Sequence, residues 1–365
     1  MKYDFINLKL NYLGHQDEYN KMFQKIAQSA KFIGGEEIIN LENNLKEFVG
    51  VNYAIGVSSG TDALLTSLLA FDFPEGYEII TTPFTFIATA EVISLLKLVP
   101  VFVDINEDTY NIDVNKIEEK ITDKTKAIIP VHLYGQSCEI DTIVDIAKKY
   151  NLKVIEDSCQ STGSKYKDKM TSSWGDVGAT SFFPSKPLGC FGDGGMVFTN
   201  NEDIFNKIKM IMNHGQNARY KHKYIGINGR LDNLQAGVLN IKFKDFIKNV
   251  DLREKKGKYY SEKLKDVVIT PKISDNRNHI YAQYSIRVNN RESFLSQMAE
   301  KGIPTAVHYP MSLHLQEAFK YLGYKQGDFP ISEEISDEIV SLPFYPEIEY
   351  GDIDEIIESI KNIVL

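Results

Sequence analysis

The chain has 365 residues, 43% of them hydrophobic and 25% charged, and a net charge of −9. This is a globular composition, which excludes a disordered or fibrous chain, and the acidic balance argues against a nucleic-acid reader. Cys138, Cys159 and Cys190 lie far apart and show no zinc or disulfide spacing, so a metal site is not expected and a reducing compartment, the cytoplasm, is.

The opening residues MKYDFINLKLNYLGHQ contain no apolar h-region, so no signal peptide is expected. Tyr53–Val57 reads as a strand and runs into SSGTDALLTSLLAF, which has helical spacing. Tyr77–Thr81 is a second strand, Ile87–Leu98 a helix, and Val101–Asp104 a third strand. The apolar stretch 92–105 is cut by Lys97, Pro100 and Asp104, short of the roughly 18 residues that a membrane helix needs. No membrane partner is expected. Lys126–Val131 continues the series as a strand, followed by a helix over Ile140–Tyr150 and a strand over Lys153–Glu156. Two more strands, Ala179–Phe183 and Met196–Asn200, flank the Gly-rich GCFGDGG, which suggests a tight turn.

After about Gly229 the pattern changes. Asn233–Leu264 is helical, with a break expected near Asn249–Leu252. Ile280–Val288 partly alternates, and helices follow over Ser293–Lys301 and Asp354–Val364. Alternating strands and helices predict an α/β fold with a mostly parallel sheet flanked by helices. The boundary falls at 1–240 for the large domain and 241–365 for a smaller α+β domain, with a ligand cleft between them.

Four features carry chemistry. Ser58-Ser59-Gly60-Thr61-Asp62 follows a strand and opens a helix. Alone it is an ordinary N-cap, but free N–H groups at a helix start also suit a phosphate. Asp157 ends a strand, the edge at which open α/β sheets bind ligands. Lys186 sits in SFFPSKPLG, beside aromatics and prolines, where a desolvated amine becomes a nucleophile. The fourth, Ile227-Asn228-Gly229-Arg230-Leu231, shows on periodicity only the start of an amphipathic helix.

In order and spacing, these segments resemble the pyridoxal-phosphate-dependent sugar aminotransferases of the DegT/DnrJ type, which act on nucleotide-linked ketosugars. The likeness runs from about Ile6 to Leu365 and includes FIGGEEIINLENNLKEFVGVNYAIGVSSGTDAL, TTPFTFIATAE, IPVHLYGQ, VIEDSCQS, SFFPSKPLG, GDGGMVFTN and GRLDNLQAG. It implies a fold type I transferase: a large domain with a mostly parallel mixed sheet flanked by helices, plus a smaller C-terminal α+β domain. It implies that Lys186 forms a Schiff base with pyridoxal 5′-phosphate and then moves protons as a general acid/base. Asp157 would pair with the pyridinium nitrogen, Gln160 with the ring hydroxyl, and Phe86 would stack on the ring. Gly60, Thr61 and Ser181 would hold the phosphate, joined by Asn228 from a neighbouring subunit of a homodimer. Arg230, His308 and Tyr309 match positions near the sugar or the amino donor. Glutamate would convert the coenzyme to pyridoxamine 5′-phosphate before the ketosugar takes the amino group.

The segment Pro184–Gly195 has the form PxKxLGxxGDxG, which resembles the branch that aminates at C3 rather than C4. It looks most like enzymes acting on UDP-2-acetamido-2-deoxy-3-oxo-glucuronate, for surface polysaccharide or lipopolysaccharide. A neutral UDP-3-keto-N-acetylglucosamine, feeding a diamino lipid A, and a dTDP-3-keto-6-deoxyhexose stay open. Dehydrase relatives resemble sequences with His at the Schiff-base position, and Lys186 argues against them. The absence of GxGxxG between first strand and first helix argues against a nicotinamide oxidoreductase. Cys159, Cys190 and Trp174 are expected to pack, His132 and His214 to be structural, and Glu254–Lys258 to form a solvated helix face.

Overall fold

The computed structural model describes residues 3–365. Three helices come first: α1 (Leu8–Gly14), α2 (Gln16–Ser29) and α3 (Glu36–Val49). The sheet strands follow as β1 (Tyr53–Val57), β2 (Glu78–Thr81), β3 (Val99–Phe102), β4 (Thr125–Ile128), β5 (Lys153–Asp157), β6 (Val177–Ser181) and β7 (Gly195–Thr199). Between them run α4 (Gly60–Phe71), α5 (Ala88–Leu95) and α6 (Ile140–Tyr150). The order across the sheet is β1-β7-β6-β5-β4-β2-β3, and only β7 runs antiparallel to its neighbours.

Side chains alternate faces along a strand, so a strand covered on both sides must be apolar throughout. Successive residues here go to opposite cores. Ile79, Ile155 and Val197 pack with Leu64 and Leu68 of α4 and with Ile208 and Ile211 of α7 (Glu202–Ile211). Ile80 and Val154 pack with Ile143 of α6. Met196 and Phe198 pack with Leu41 and Leu45 of α3 and with Leu239 of α8 (Asn233–Leu264). Each such buried aliphatic side chain contributes about 1.5–3 kcal/mol.

The long helix α8 has no break at 249–252. That stretch holds no Pro or Gly, and both Val250 and Arg253 are buried, so packing carries the helix through. The Glu254–Lys258 run is solvated only in part, with Lys255 and Lys258 exposed. Lys256 and Gly257 are buried, and the Lys256 ammonium donates to the carbonyls of Pro346 and Ile348. Residue 240 falls inside this helix. Beyond it, α9 (Arg291–Glu300), α10 (Pro330–Glu338) and α11 (Tyr350–Val364) surround a short antiparallel pair, β8 (Tyr284–Arg287) with β9 (Ile339–Leu342). Of the partly alternating stretch Ile280–Val288, only four residues form a strand. Tyr260, Tyr281, Tyr284 and Phe344 form the aromatic centre of this part. Among the described residues, no helix is long and apolar enough to cross a membrane, and no cluster of three or more His, Cys, Asp or Glu is placed to hold a metal ion.

Candidate active site

Parallel strands end at one edge of a sheet, and this edge gathers the distant motifs. Gly195, the first residue of β7, pairs with Val57 at the end of β1 and with Ser181 at the end of β6. Asp157 ends β5 beside Ala179. A Cβ on Gly195 would come 2.3 Å from the Ser59 carbonyl oxygen, so only glycine permits this close approach.

At the start of α4, the Ser59 Oγ accepts from the Asp62 N–H at 3.0 Å. The N–H groups of Gly60 and Thr61 take no part in the helix ladder. Gly60 is a tight junction: a Cβ there would stand 2.6 Å from Ser181 Cβ and 3.0 Å from Cys159 Sγ. Gly60, Ser181 and Cys159 are therefore neighbours, and the missing side chain leaves the helix start clear. Thr61 follows, half-buried.

Asp157 is buried and its carboxylate is fixed on both oxygens. Thr89 Oγ1 donates to Oδ2 at 2.7 Å, and the Cys159 N–H donates to Oδ1 at 3.2 Å. Gln160 is buried one turn on. Its Oε1 accepts from the Tyr134 N–H at 2.9 Å, and its Nε2 donates to the Tyr309 hydroxyl at 3.0 Å. Phe86 follows β2 and is 55% exposed, its ring tilted toward Tyr309 at 6.3 Å. An aromatic face this open, beside buried polar groups, has room for a planar ring.

Lys186 lies in the loop after β6, and Pro187 follows it. Its side chain is half-buried, yet burial pulls the ammonium below the ordinary lysine value, opposed by Cys159 and Asp157. Burial also lowers His308, with Lys186 adding to the effect, which places His308 within the field of the amine. The His308 Nδ1 lies 2.9 Å from Ser341 Oγ. Burial keeps Tyr309 protonated far above pH 7. The Cys159 thiol is raised by burial and by Asp157, which disfavours the reactive thiolate.

Asn228 and Arg230 flank Gly229, whose carbonyl accepts from the Ser58 N–H at 3.0 Å beside the start of α4. Their segment runs beside β1, with Arg230 bridged to Val57 and Asn228 to Asn213. Asn228 is exposed. Arg230 Nη1 donates to Asn213 Oδ1 at 2.7 Å, and its Nε is buried without a partner among the described residues. His132 is structural: its Nδ1 accepts from the Cys138 N–H and its Nε2 lies 2.9 Å from Glu156 Oε2. His214, also expected to be structural, is exposed.

Two contributors escaped the sequence reading. Thr89 sits 68 residues from the carboxylate it holds, and no local pattern shows such a contact. Tyr134 lies in HLYGQ with φ 54° and ψ 6°. The Tyr-Gly pair after a strand was the available signal for a left-handed turn.

The DegT/DnrJ/EryC1/StrS aminotransferase family matches residues 14–361. The chain is 42% identical over 360 residues to the UDP-2-acetamido-2-deoxy-3-oxo-D-glucuronate aminotransferase of Pseudomonas aeruginosa, covering 98% of this chain and 99% of that one. It is 39% identical over 359 residues to the dTDP-3-amino-3,6-dideoxy-alpha-D-galactopyranose transaminase of Aneurinibacillus thermoaerophilus, covering 98% of each. The crystal structure of NtdA from Bacillus subtilis with bound cofactor PMP superposes with a TM-score of 0.89 at 30% identity, over 96% of this chain and 82% of that one.

Proposed function

The chain belongs to the DegT/DnrJ/EryC1/StrS aminotransferase family, pyridoxal-phosphate-dependent enzymes acting on nucleotide-linked keto sugars, and from that premise we propose that it transfers the amino group of glutamate to C3 of a UDP-linked 3-keto N-acetylhexosamine, foremost the uronic acid. The product would be a 2,3-diamino sugar for surface polysaccharide or lipopolysaccharide, made in the cytoplasm by a homodimer. The observation that carries the reading is the convergence of a helix start, a buried carboxylate and a desolvated lysine at one sheet edge. The sugar itself rests on the PSKPLGCFGDGG segment and on the likeness to the Pseudomonas aeruginosa enzyme.

The residues fit the coenzyme. The cleared helix start at Gly60 and Thr61, with the Ser181 hydroxyl, suits a phosphate. Asp157, fixed by Thr89 and the Cys159 N–H, would hold a proton on the ring nitrogen. Gln160 would meet the ring hydroxyl, and the open face of Phe86 would stack on the ring. When bound, pyridoxal phosphate supplies an electron sink for the carbanion left as the substrate C–H proton departs. Lys186 would anchor the coenzyme and move that proton. Its lowered pKa enlarges the neutral, basic fraction of the amine near neutral pH.

Asn228 would reach the phosphate of the neighbouring subunit. The stretch 8–39 leaves Leu10, Leu13, Phe23, Phe32, Ile33 and Ile39 exposed, which supports an interface between subunits. Arg230 has a buried Nε free to donate, a feature that suits a sugar carboxylate. His308 and Tyr309 would face the sugar or the donor.

The test uses enzyme bleached by glutamate and freed of excess donor. UDP-3-keto-N-acetylglucosaminuronate and its C6-hydroxymethyl counterpart are added separately, and return of the yellow colour is followed. Return with the uronate alone supports the proposal. Return with the neutral sugar alone moves the enzyme to diamino lipid A. If neither restores colour, the UDP assignment fails, and the dTDP-3-keto-6-deoxyhexoses, toward which the Aneurinibacillus relative points, are tried next.

A further inference from the structure

Gln160 carries one acceptor and two donor hydrogens on its amide, and a backbone N–H can only donate. Because the Tyr134 N–H faces the amide at 2.9 Å, Oε1 must turn toward it, and Nε2 is driven toward the Tyr309 hydroxyl at 3.0 Å. The left-handed conformation of Tyr134, φ 54° and ψ 6°, aims that N–H. The same residue acts a second time through its side chain: its hydroxyl donates to the His308 carbonyl, one peptide before Tyr309. The bonds close a ring: Tyr134 N–H to Gln160, Gln160 to Tyr309, along the chain to His308, and back to the Tyr134 hydroxyl. Residues 134 and 160 belong to the sheet edge. Residues 308 and 309 follow Ala306, which is hydrogen-bonded in both directions to Ser341 of β9. Tyr134 therefore joins the C-terminal part of the molecule to the buried amide of the site.

We propose that Tyr134 is a positioning residue that sets the hydrogen bond from Gln160 to the coenzyme's ring hydroxyl and couples it to the seat of Tyr309. The inference rests on the coenzyme placement proposed above. Gln160 Nε2 spends one hydrogen on Tyr309 and keeps the second for the ring oxygen, so the direction of that second hydrogen depends on Tyr309 being held. Tyr134 packs in a cluster with Phe84, Tyr110 and Val131 and sits edge-on to Tyr110 at 6.0 Å. Tyr134→Phe keeps the ring and removes the hydroxyl, with its bond to the His308 carbonyl and its contact with Ser285.

The readout is the pH titration of the bound coenzyme's visible absorbance in the holoenzyme. A donor on the ring oxygen favours the state in which that oxygen carries most charge, the deprotonated chromophore. Weakening it raises the titration midpoint. Tyr134→Phe and Tyr309→Phe should each raise it by on the order of one pH unit. The double variant should exceed neither by much, because both cut one closed ring. A Tyr134→Phe midpoint equal to wild type, even with a lowered Tm, shows a merely structural role and overturns the inference. Additive shifts overturn the coupling. Loss of the absorbance in Lys186→Ala, with its presence in wild type, separates failure of the inference from failure of the coenzyme placement.

Discussion

An enclosed ammonium loses its hydration, and Lys186 carries the consequence in a lowered pKa. Among the described residues no carboxylate forms a salt bridge with it, and the Asp157 oxygens accept from Thr89 and the Cys159 N–H. The amine is thereby left for chemistry. Lys186→Ala should lose covalently bound coenzyme, seen as loss of yellow colour after desalting. Its transamination rate should fall by about 10²–10⁴-fold, the range for removal of a positioned acid–base group. A variant that transaminates at the wild-type rate would overturn the assignment. The sequence found this lysine because its flanks are unusual, whereas Thr89 and Tyr134 act only through contacts with residues far along the chain.

At the scale of elements, α8 shows how packing overrides local pattern. Its 32 residues pass through a charged stretch that by itself reads as broken and solvated. Gly257 lets the Tyr281 ring lie against the helix: a Cβ there would stand 2.2 Å from Tyr281 Cε2. Gly257→Ala should destabilise by about 1–3 kcal/mol through overpacking, despite alanine's better helix propensity. A urea midpoint unchanged or raised would show that the contact yields freely. His279 stacks on the same ring at 4.0 Å, and its Nδ1 accepts the Tyr281 N–H. Burial drives His279 down to about 3. The unfolded chain then binds the extra proton below pH 6.5, so this group's contribution to stability is present above that pH and is lost as pH falls toward 3. The slope is about 1.4 kcal/mol per pH unit. Unfolding free energies at pH 6 and pH 4 should differ by less in His279→Gln than in wild type, and equal differences would refute the buried neutral ring.

At the scale of the whole molecule, two junctions fix the C-terminal part on the sheet. Asp104, at the end of the β3 segment, accepts from the N–H groups of Ile331 and Ser332 and from the Ser332 hydroxyl, capping the start of α10 with a negative charge. Arg287 of β8 gathers Glu107, Glu334 and Glu338. These bonds carry the 306–309 segment to the sheet edge, where the Tyr309 hydroxyl accepts from Gln160. The site is finished, in our proposal, by Asn228 of a second subunit. Co-expressing Lys186→Ala with Asn228→Ala then tests the trans arrangement. Each mixed dimer would hold one intact site, giving about a quarter of wild-type activity per site after random pairing. A mixture no more active than its parents would place Asn228 in its own subunit's site or outside any site.

The alternation of strands and helices, the acidic balance, Lys186 in its Pro-flanked loop and Asp157 at a strand end were all legible in the sequence. Each is a local property, written in residue spacing or in the conformational limits of Gly and Pro. So was the family, because many separate motifs occur in the right order. The sequence did not determine that α8 runs unbroken, that Lys256 is buried, or that β8 pairs with a strand some fifty residues on. Those outcomes depend on which faces meet, and burial decides them against local preference. The Tyr134–Gln160–Tyr309 ring was equally invisible. Its members sit 26 and 149 residues apart, and only the folded sheet edge, with the C-terminal part held against it, brings one amide within reach of both tyrosines.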